Sequence, residues 1–121
     1  MPHRALIARE LAGLLGALSH PHRIRIVEEL KSGEMDVNSL QRVLEISHSG
    51  VSQNLAVLRA HRLVRERKDG RRVIYSLSDA GLASWLLEGL RFLEGEIEQS
   101  EQVRSAAEVV RRIWGSDRNE H

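Results

Sequence analysis

Cysteine is absent from this chain of 121 residues. Disulfides, thiolate metal sites and cysteine nucleophiles are therefore excluded outright. Aromatic residues are nearly as scarce, with two Trp, one Tyr and one Phe. The core must then be built mostly from Leu, Val, Ile and Ala, a set that suits helices. No apolar run approaches the ~18–20 residues that a membrane span needs. The opening MPHRALIARELAG has no long apolar region of the secretory kind. The expectation is a cytoplasmic protein with no membrane partner. Catalytic signatures are missing as well: no HExxH pair, no GxxxxGKS/T phosphate loop and no GxSxG elbow. An enzyme is not expected.

What is there is an uneven distribution of charge. The net charge is only +1. From Met1 to Ser47 six basic residues balance six acidic ones. From His48 to Ser76, Arg59, Arg62, Arg65, Arg67, Lys68, Arg71 and Arg72 face only Glu66 and Asp69, a local +5. From Leu77 to His121 five basic residues face nine acidic ones, a local −4. A basic block in an otherwise neutral or acidic chain is the electrostatic footprint of a polyanion site. The acidic residues Glu88, Glu94, Glu96, Glu98 and Glu101 read as a solvated helix face, with nothing to pair them as acid and base.

By length the chain reads as one domain, residues 1–121, burying roughly two-thirds of its unfolded surface. Leu6, Ile7, Leu11, Leu14, Leu15 and Leu18 recur at helical spacing and predict an amphipathic helix over 4–18. Pro21 suits the first turn of a second helix, to about Leu30, with Ile24, Val27 and Leu30 inward. Asp36 or Asn38 can cap a third helix carrying Leu40, Val43 and Leu44, and Ser47 or Ser49 a fourth. The fourth turns Val51, Leu55 and Leu58 inward and keeps a polar front. Residues 38–60 thus form a helix-turn-helix. Val64–Lys68 and Arg71–Leu77 flank Asp69-Gly70, a two-residue hairpin signal, so 64–77 is a basic hairpin or wing. In its second strand Val73, Tyr75 and Leu77 alternate and form one apolar face. Ser78-Asp79 caps helical sequence over 80–114, with Gly115 as its stop and 116–121 as a frayed tail. No Pro or Gly forces a break at Gln99-Ser100, which favours one continuous helix without deciding it. The fold class is mainly α with a small β-hairpin.

Three segments in order, LSHPHRIRIVEEL, HSGVSQNLAVLRAHRLV and RKDGRRVIYSLSD, resemble the second helix, recognition helix and wing of ArsR/SmtB-type winged helix-turn-helix repressors. The similarity covers roughly residues 11–95. It implies an α-α-α-α-β-β-α core, a homodimer built by the first helix and the helix after the wing, and repression relieved by a ligand. The residues support the dimer independently. A three-helix core plus a hairpin cannot cover both Leu11, Leu14 and Leu15 on 4–18 and Leu82, Leu86, Leu90 and Leu93 on 80–114, so a second copy is the expected cover.

The expected partner is double-stranded DNA. The front of one α-helix meets base edges in the major groove. His48, Ser49, Gly50, Ser52, Gln53 and Asn54 are the candidates there, with Gln and Asn suited to adenine. Lys68, Arg71 and Arg72 at the hairpin tip suit phosphates or a narrow minor groove. A dimer implies a pseudo-palindromic operator.

The inducer is not legible. The family resemblance implies metal sensors with cysteines near the third helix, where this chain reads GEMDVNSL, or with an Asp/His set after the wing, where Asp79 is followed by no histidine through residue 98. Neither set is present, so no cofactor is assigned. His20 and His22 around Pro21, or His3 with a freed Pro2 amine, are the weak candidates for zinc, nickel or cobalt. Two alternatives stay open: a metal sensor using histidines at an unfamiliar site, and a winged helix that pairs with protein and binds no DNA.

Overall fold

The structure is a computed structural model that describes residues 2–97 and 101–119. It divides into two compact units, Met1–Ala80 and Gly81–His121. The first runs α1 (Pro2–Leu18), α2 (Pro21–Lys31), β1 (Met35–Asp36), α3 (Val37–Leu44), α4 (His48–Ala60), β2 (Val64–Asp69) and β3 (Arg72–Leu77). The second holds α5 (Gly81–Ile97) and α6 (Glu101–Asn119).

In the first unit α2 is the hub, touching α1, α3, α4 and β3. It starts where expected, with Pro21 in its first turn and His20 as N-cap, whose Nδ1 accepts from the His22 amide at 3.1 Å. Its buried residues are Ile26, Val27 and Leu30, while Ile24, expected inward, is 40% exposed. Ile24 and Ile26 lie on different sides of a 3.6-residue turn, and α1, α3 and α4 close around the side that carries Ile26. Val43 is likewise 39% exposed, leaving Leu40 and Leu44 as the anchors of α3. In α4 all three expected positions, Val51, Leu55 and Leu58, are buried.

Each helix end in this region has a local cause. Asp36 caps α3, its Oδ1 accepting from the Ser39 amide at 2.8 Å. Glu45 ends α3 in the left-handed region, φ 57°, and donates its N–H to Gln41 O at 2.9 Å. Ser47 caps α4 by accepting from the Gly50 amide at 3.0 Å. The far end of α4 is a Schellman turn. Leu63 N–H reaches Leu58 O and Arg62 N–H reaches Arg59 O, both at 2.9 Å, with Arg62 at φ 59°.

The sheet has three antiparallel strands in the order β1-β3-β2. β1 is additional to the expected hairpin; Met35 and Asp36 pair with Tyr75 and Ile74. The hairpin pairs Asp69 with Arg72, so its two-residue loop is Gly70-Arg71, one residue later than expected. Gly70 has φ 64° and Arg71 is not among the positive-φ residues, which is the II′ pattern favoured between twisted strands. The buried residue of β3 is Ile74, whereas Val73, Tyr75 and Leu77, the expected apolar face, are half-buried.

In the second unit the helical sequence forms two helices that pack on each other, joined by an ion pair between Arg111 and Glu94. One straight helix would hold those residues about 25 Å apart, so the pair requires two segments. α6 continues through Gly115 to Asn119; Gln99, Ser100 and the last two residues of the expected tail lie outside the described residues. Ala83, Ala107 and Trp114 are buried. Among the described residues no helix is long and apolar enough to cross a membrane.

Candidate nucleic-acid interface

The front of α4 is built from its own cap. Ser47 holds the Gly50 amide, and Ser49 Oγ lies 3.3 Å from Ser47 Oγ. A Cβ on Gly50 would come within 3.1 Å of Ser47 Oγ and 3.5 Å of Ile46. Gly50, a sequence candidate for the base edges, therefore makes room first for the cap itself. From this turn His48, Ser49 and Gln53 project exposed, and Ser52 is half-buried. The apolar back of α4 is fully covered, so rolling the helix to hide this edge would uncover Val51, Leu55 and Leu58.

Asn54 differs from its neighbours. Its amide is engaged at both ends, Nδ2 donating to Gly50 O at 2.9 Å and Oδ1 accepting from Arg23 Nη1 at 3.2 Å. It faces the scaffold rather than the open edge.

The wing shows the same division between held and open groups. Arg67 makes two bonds to the Glu34 carboxylate, at 2.7 and 3.2 Å. Arg72 binds Asp36 Oδ2 through Nε at 3.0 Å and Nη2 at 2.9 Å. Arg59 pairs with Glu66 at 2.8 Å, and the Tyr75 hydroxyl donates to the same carboxylate at 3.1 Å. The side chains of Lys68 and Arg71, beside and within the turn, make no hydrogen bond or ion pair among the described residues, and the same holds for the side chains of Arg62 and Arg65. Of the three expected tip cations, Lys68 and Arg71 are free and Arg72 is tethered to the N-cap of α3.

These contacts set the ionisation of their partners. The bonds from Ser39, and then from Arg72, hold the Asp36 carboxyl down at about 2. The Arg67 bond likewise lowers Glu34. Burial first, and then donation to Glu66, push the Tyr75 phenol up, so it stays protonated and donates. Sequence reasoning missed Glu34, Asp36 and Glu66 as wing partners.

Between the wing and α4 lies a cleft of about 300 Å³, bounded by His48 and Ser52 on one side and Arg71 and Arg72 on the other, with Asn38 of α3 at its end. The structure thus gathers His48, Ser52, Arg71 and Arg72 around one opening.

Residues 18–67 match the family described as a helix-turn-helix domain. The chain is 40% identical over 72 residues to a transcriptional repressor SmtB homologue of Synechocystis, a match covering 60% of this chain and about half of that relative, 54%. It is 33% identical over 110 residues to the nodulation protein NolR of Rhizobium meliloti, covering 88% of this chain and 89% of that one. Among solved structures, reduced HlyU from Vibrio cholerae superposes with a TM-score of 0.67 at 33% identity, covering 74% of this chain and 97% of that one. The chain belongs to the ArsR/SmtB-type family of winged helix-turn-helix regulators. As an ArsR/SmtB-type protein it is a regulator and not an enzyme.

Neither of the two donor sets named from the sequence is complete, since there is no cysteine and α5 carries no histidine. Of the histidine candidates, His3 is exposed in the first turn of α1, and His20 already uses Nδ1 as a cap acceptor with its ring 5.1 Å from that of His22. Of the expected dimer residues, Leu11 and Leu15 are exposed and Leu14 half-buried on α1; Leu82, Leu86 and Leu90 are half-buried and Leu93 exposed on α5.

Proposed function

We propose that the chain is a cytoplasmic transcriptional repressor that binds a pseudo-palindromic DNA operator as a homodimer. The observation that carries this is the pairing of an exposed polar edge on α4 with a free Arg71 across one cleft, with the free Lys68 beside the same turn. His48, Ser49, Ser52 and Gln53 would face base edges in the major groove, with Gln53 suited to adenine. Lys68 and Arg71 would hold phosphates outside it.

A second copy is supported by α1. Leu6, Ile7, Leu11 and Leu15 are 49%, 58%, 49% and 52% exposed in the single chain, an apolar stripe too continuous to be left to water. Two copies related by a two-fold axis would set their α4 helices about one turn of DNA apart, roughly 34 Å. Release by a ligand is part of the proposal; without cysteine, that ligand is not a thiolate-bound metal.

The test is a gel shift on duplex DNA from the chain's own promoter region at rising salt, with sedimentation of the free protein. Salt-sensitive, sequence-selective binding by a dimer is expected, and Leu11→Glu with Leu15→Glu should give a monomer that no longer shifts the duplex. A dimer indifferent to DNA would instead mark a protein-binding winged helix. Repeating the shift with zinc, nickel and cobalt against a chelator tests histidine-bound metal as inducer.

A further inference from the structure

Arg23 is half-buried on α2 and reaches two other helices. Its Nε donates to Ala17 O at 2.5 Å and its Nη1 to Asn54 Oδ1 at 3.2 Å. Ala17 lies in the last turn of α1, where helix carbonyls lack an intrahelical partner. Asn54 passes the contact on, its Nδ2 donating to Gly50 O at 2.9 Å. The amide can sit only one way round, because flipping it would set NH₂ against the guanidinium and oxygen against the Gly50 carbonyl. The guanidinium is a rigid planar fork, so the direction of one arm fixes the other. We infer that Ala17, Arg23, Asn54 and Gly50 form a relay that ties the end of α1 to the first turn of α4, and that Arg23 and Asn54 are positioning residues for the DNA-reading edge.

The relay acts where position matters most. Gly50 belongs to the turn from which His48, Ser49, Ser52 and Gln53 emerge. The apolar contacts of Val51, Leu55 and Leu58 seat the back of α4 but tolerate small sliding; a directed hydrogen bond at its front does not. Base recognition depends on sub-ångström placement, whereas phosphate attraction is long-ranged. Loss of the relay should therefore reduce discrimination between sequences and leave general DNA attraction in place. Because α1 also bears the stripe proposed for the second copy, the relay joins the dimer helix to the reading helix.

This inference rests on the DNA-binding proposal, so its test has one readout with DNA and one without. Full-length Arg23→Gln, Arg23→Lys, Asn54→Ala and the Arg23→Gln/Asn54→Ala double variant are compared for binding to the promoter duplex and to a shuffled duplex of equal length. Each single variant should lose about tenfold in the ratio of the two affinities, with shuffled-duplex affinity and salt slope within about twofold of the parent. The double variant should be no worse than the poorer single one. Lysine keeps the charge and loses the fork, so restoration of the ratio by Arg23→Lys would overturn the relay, as would additive losses in the double variant. Without DNA, hydrogen exchange should quicken together at the end of α1 and in the first two turns of α4 while the hairpin amides keep their protection. Uniform acceleration throughout would reduce Arg23 to a general stabiliser. A parent protein that treats both duplexes alike would defeat the DNA reading, while the exchange experiment would still decide the relay.

Discussion

The wing carries two sets of cations side by side, one held and one open. Arg67 and Arg72 are held by Glu34 and Asp36, and Arg59 at the end of α4 is held by Glu66. Lys68 and Arg71, each next in sequence to one of them, have side chains held by nothing among the described residues. Counting charges along the sequence treats them as equals. The structure separates cations that fix the hairpin against α3 and α4 from cations open to an external anion. Asp36 makes the division visible in one side chain: one oxygen caps α3 and the other holds Arg72.

The largest expected effect comes from the open pair. Lys68→Ala with Arg71→Ala should weaken binding to every duplex by about tenfold or more and flatten the log–log salt slope by about 2 per protomer. Arg67→Ala with Arg72→Ala removes as much charge from the held pair; it should shift affinity only modestly and keep most of the slope. Equal slopes for the two double variants would erase the distinction between held and open cations.

Next in size is Asp36. Replacing it with Ala removes the cap and the clamp together and should lower the melting temperature by about 3–6 °C. Asp36→Ser keeps a capping oxygen and should recover most of that loss while leaving Arg72 unheld. No recovery would mean that the clamp outweighs the cap.

Acid titration tests the same side chain. The folded Asp36 carboxyl sits at about 2, below its ordinary 3.8, so the unfolded chain takes up the proton first as pH falls. Its contribution is complete above the ordinary value and is lost as pH drops through the folded one. The difference in urea midpoint between the parent and Asp36→Asn should therefore be constant near neutrality and shrink from roughly pH 4 downward. A constant difference down to roughly pH 2 would show that the charge contributes nothing.

The smallest effect lies just before the wing. Arg62 occupies the left-handed position of a Schellman turn, where glycine is usual. Arg62→Gly should stabilise the fold by up to about 1 kcal/mol in urea denaturation. If it also lowers DNA affinity, Arg62 belongs with the open cations.

What was legible in the sequence was whatever depends on near neighbours. Val51, Leu55 and Leu58 announce the buried back of α4 because their spacing of four and three is itself the helix period. Asp36, Ser47 and Pro21 announce helix starts because capping acts within three residues. The hairpin was legible, and its loop only to within one residue, since both placements keep Gly70 in the turn. In β3, Val73, Ile74 and Tyr75 are consecutive and apolar, so alternation alone cannot say which parity faces the core. β1 has two residues and no period to detect. Three of the missed site features share one property: Glu34–Arg67, Asp36–Arg72 and Arg23–Asn54 are separated by 33, 36 and 31 residues. Such pairs exist only after β1 has joined β3 and α2 has met α4.

The edge position of β2 has a consequence for colloidal behaviour. An open strand edge invites another chain to add to the sheet. Among the described residues β2 pairs only with β3, and the strand carries the succession Arg65, Glu66, Arg67, Lys68, Asp69. Charges so dense and mixed in sign resist strand addition. The positive residues that suit the wing to a nucleic acid therefore also discourage fibril growth from this edge, confining self-association to the helices.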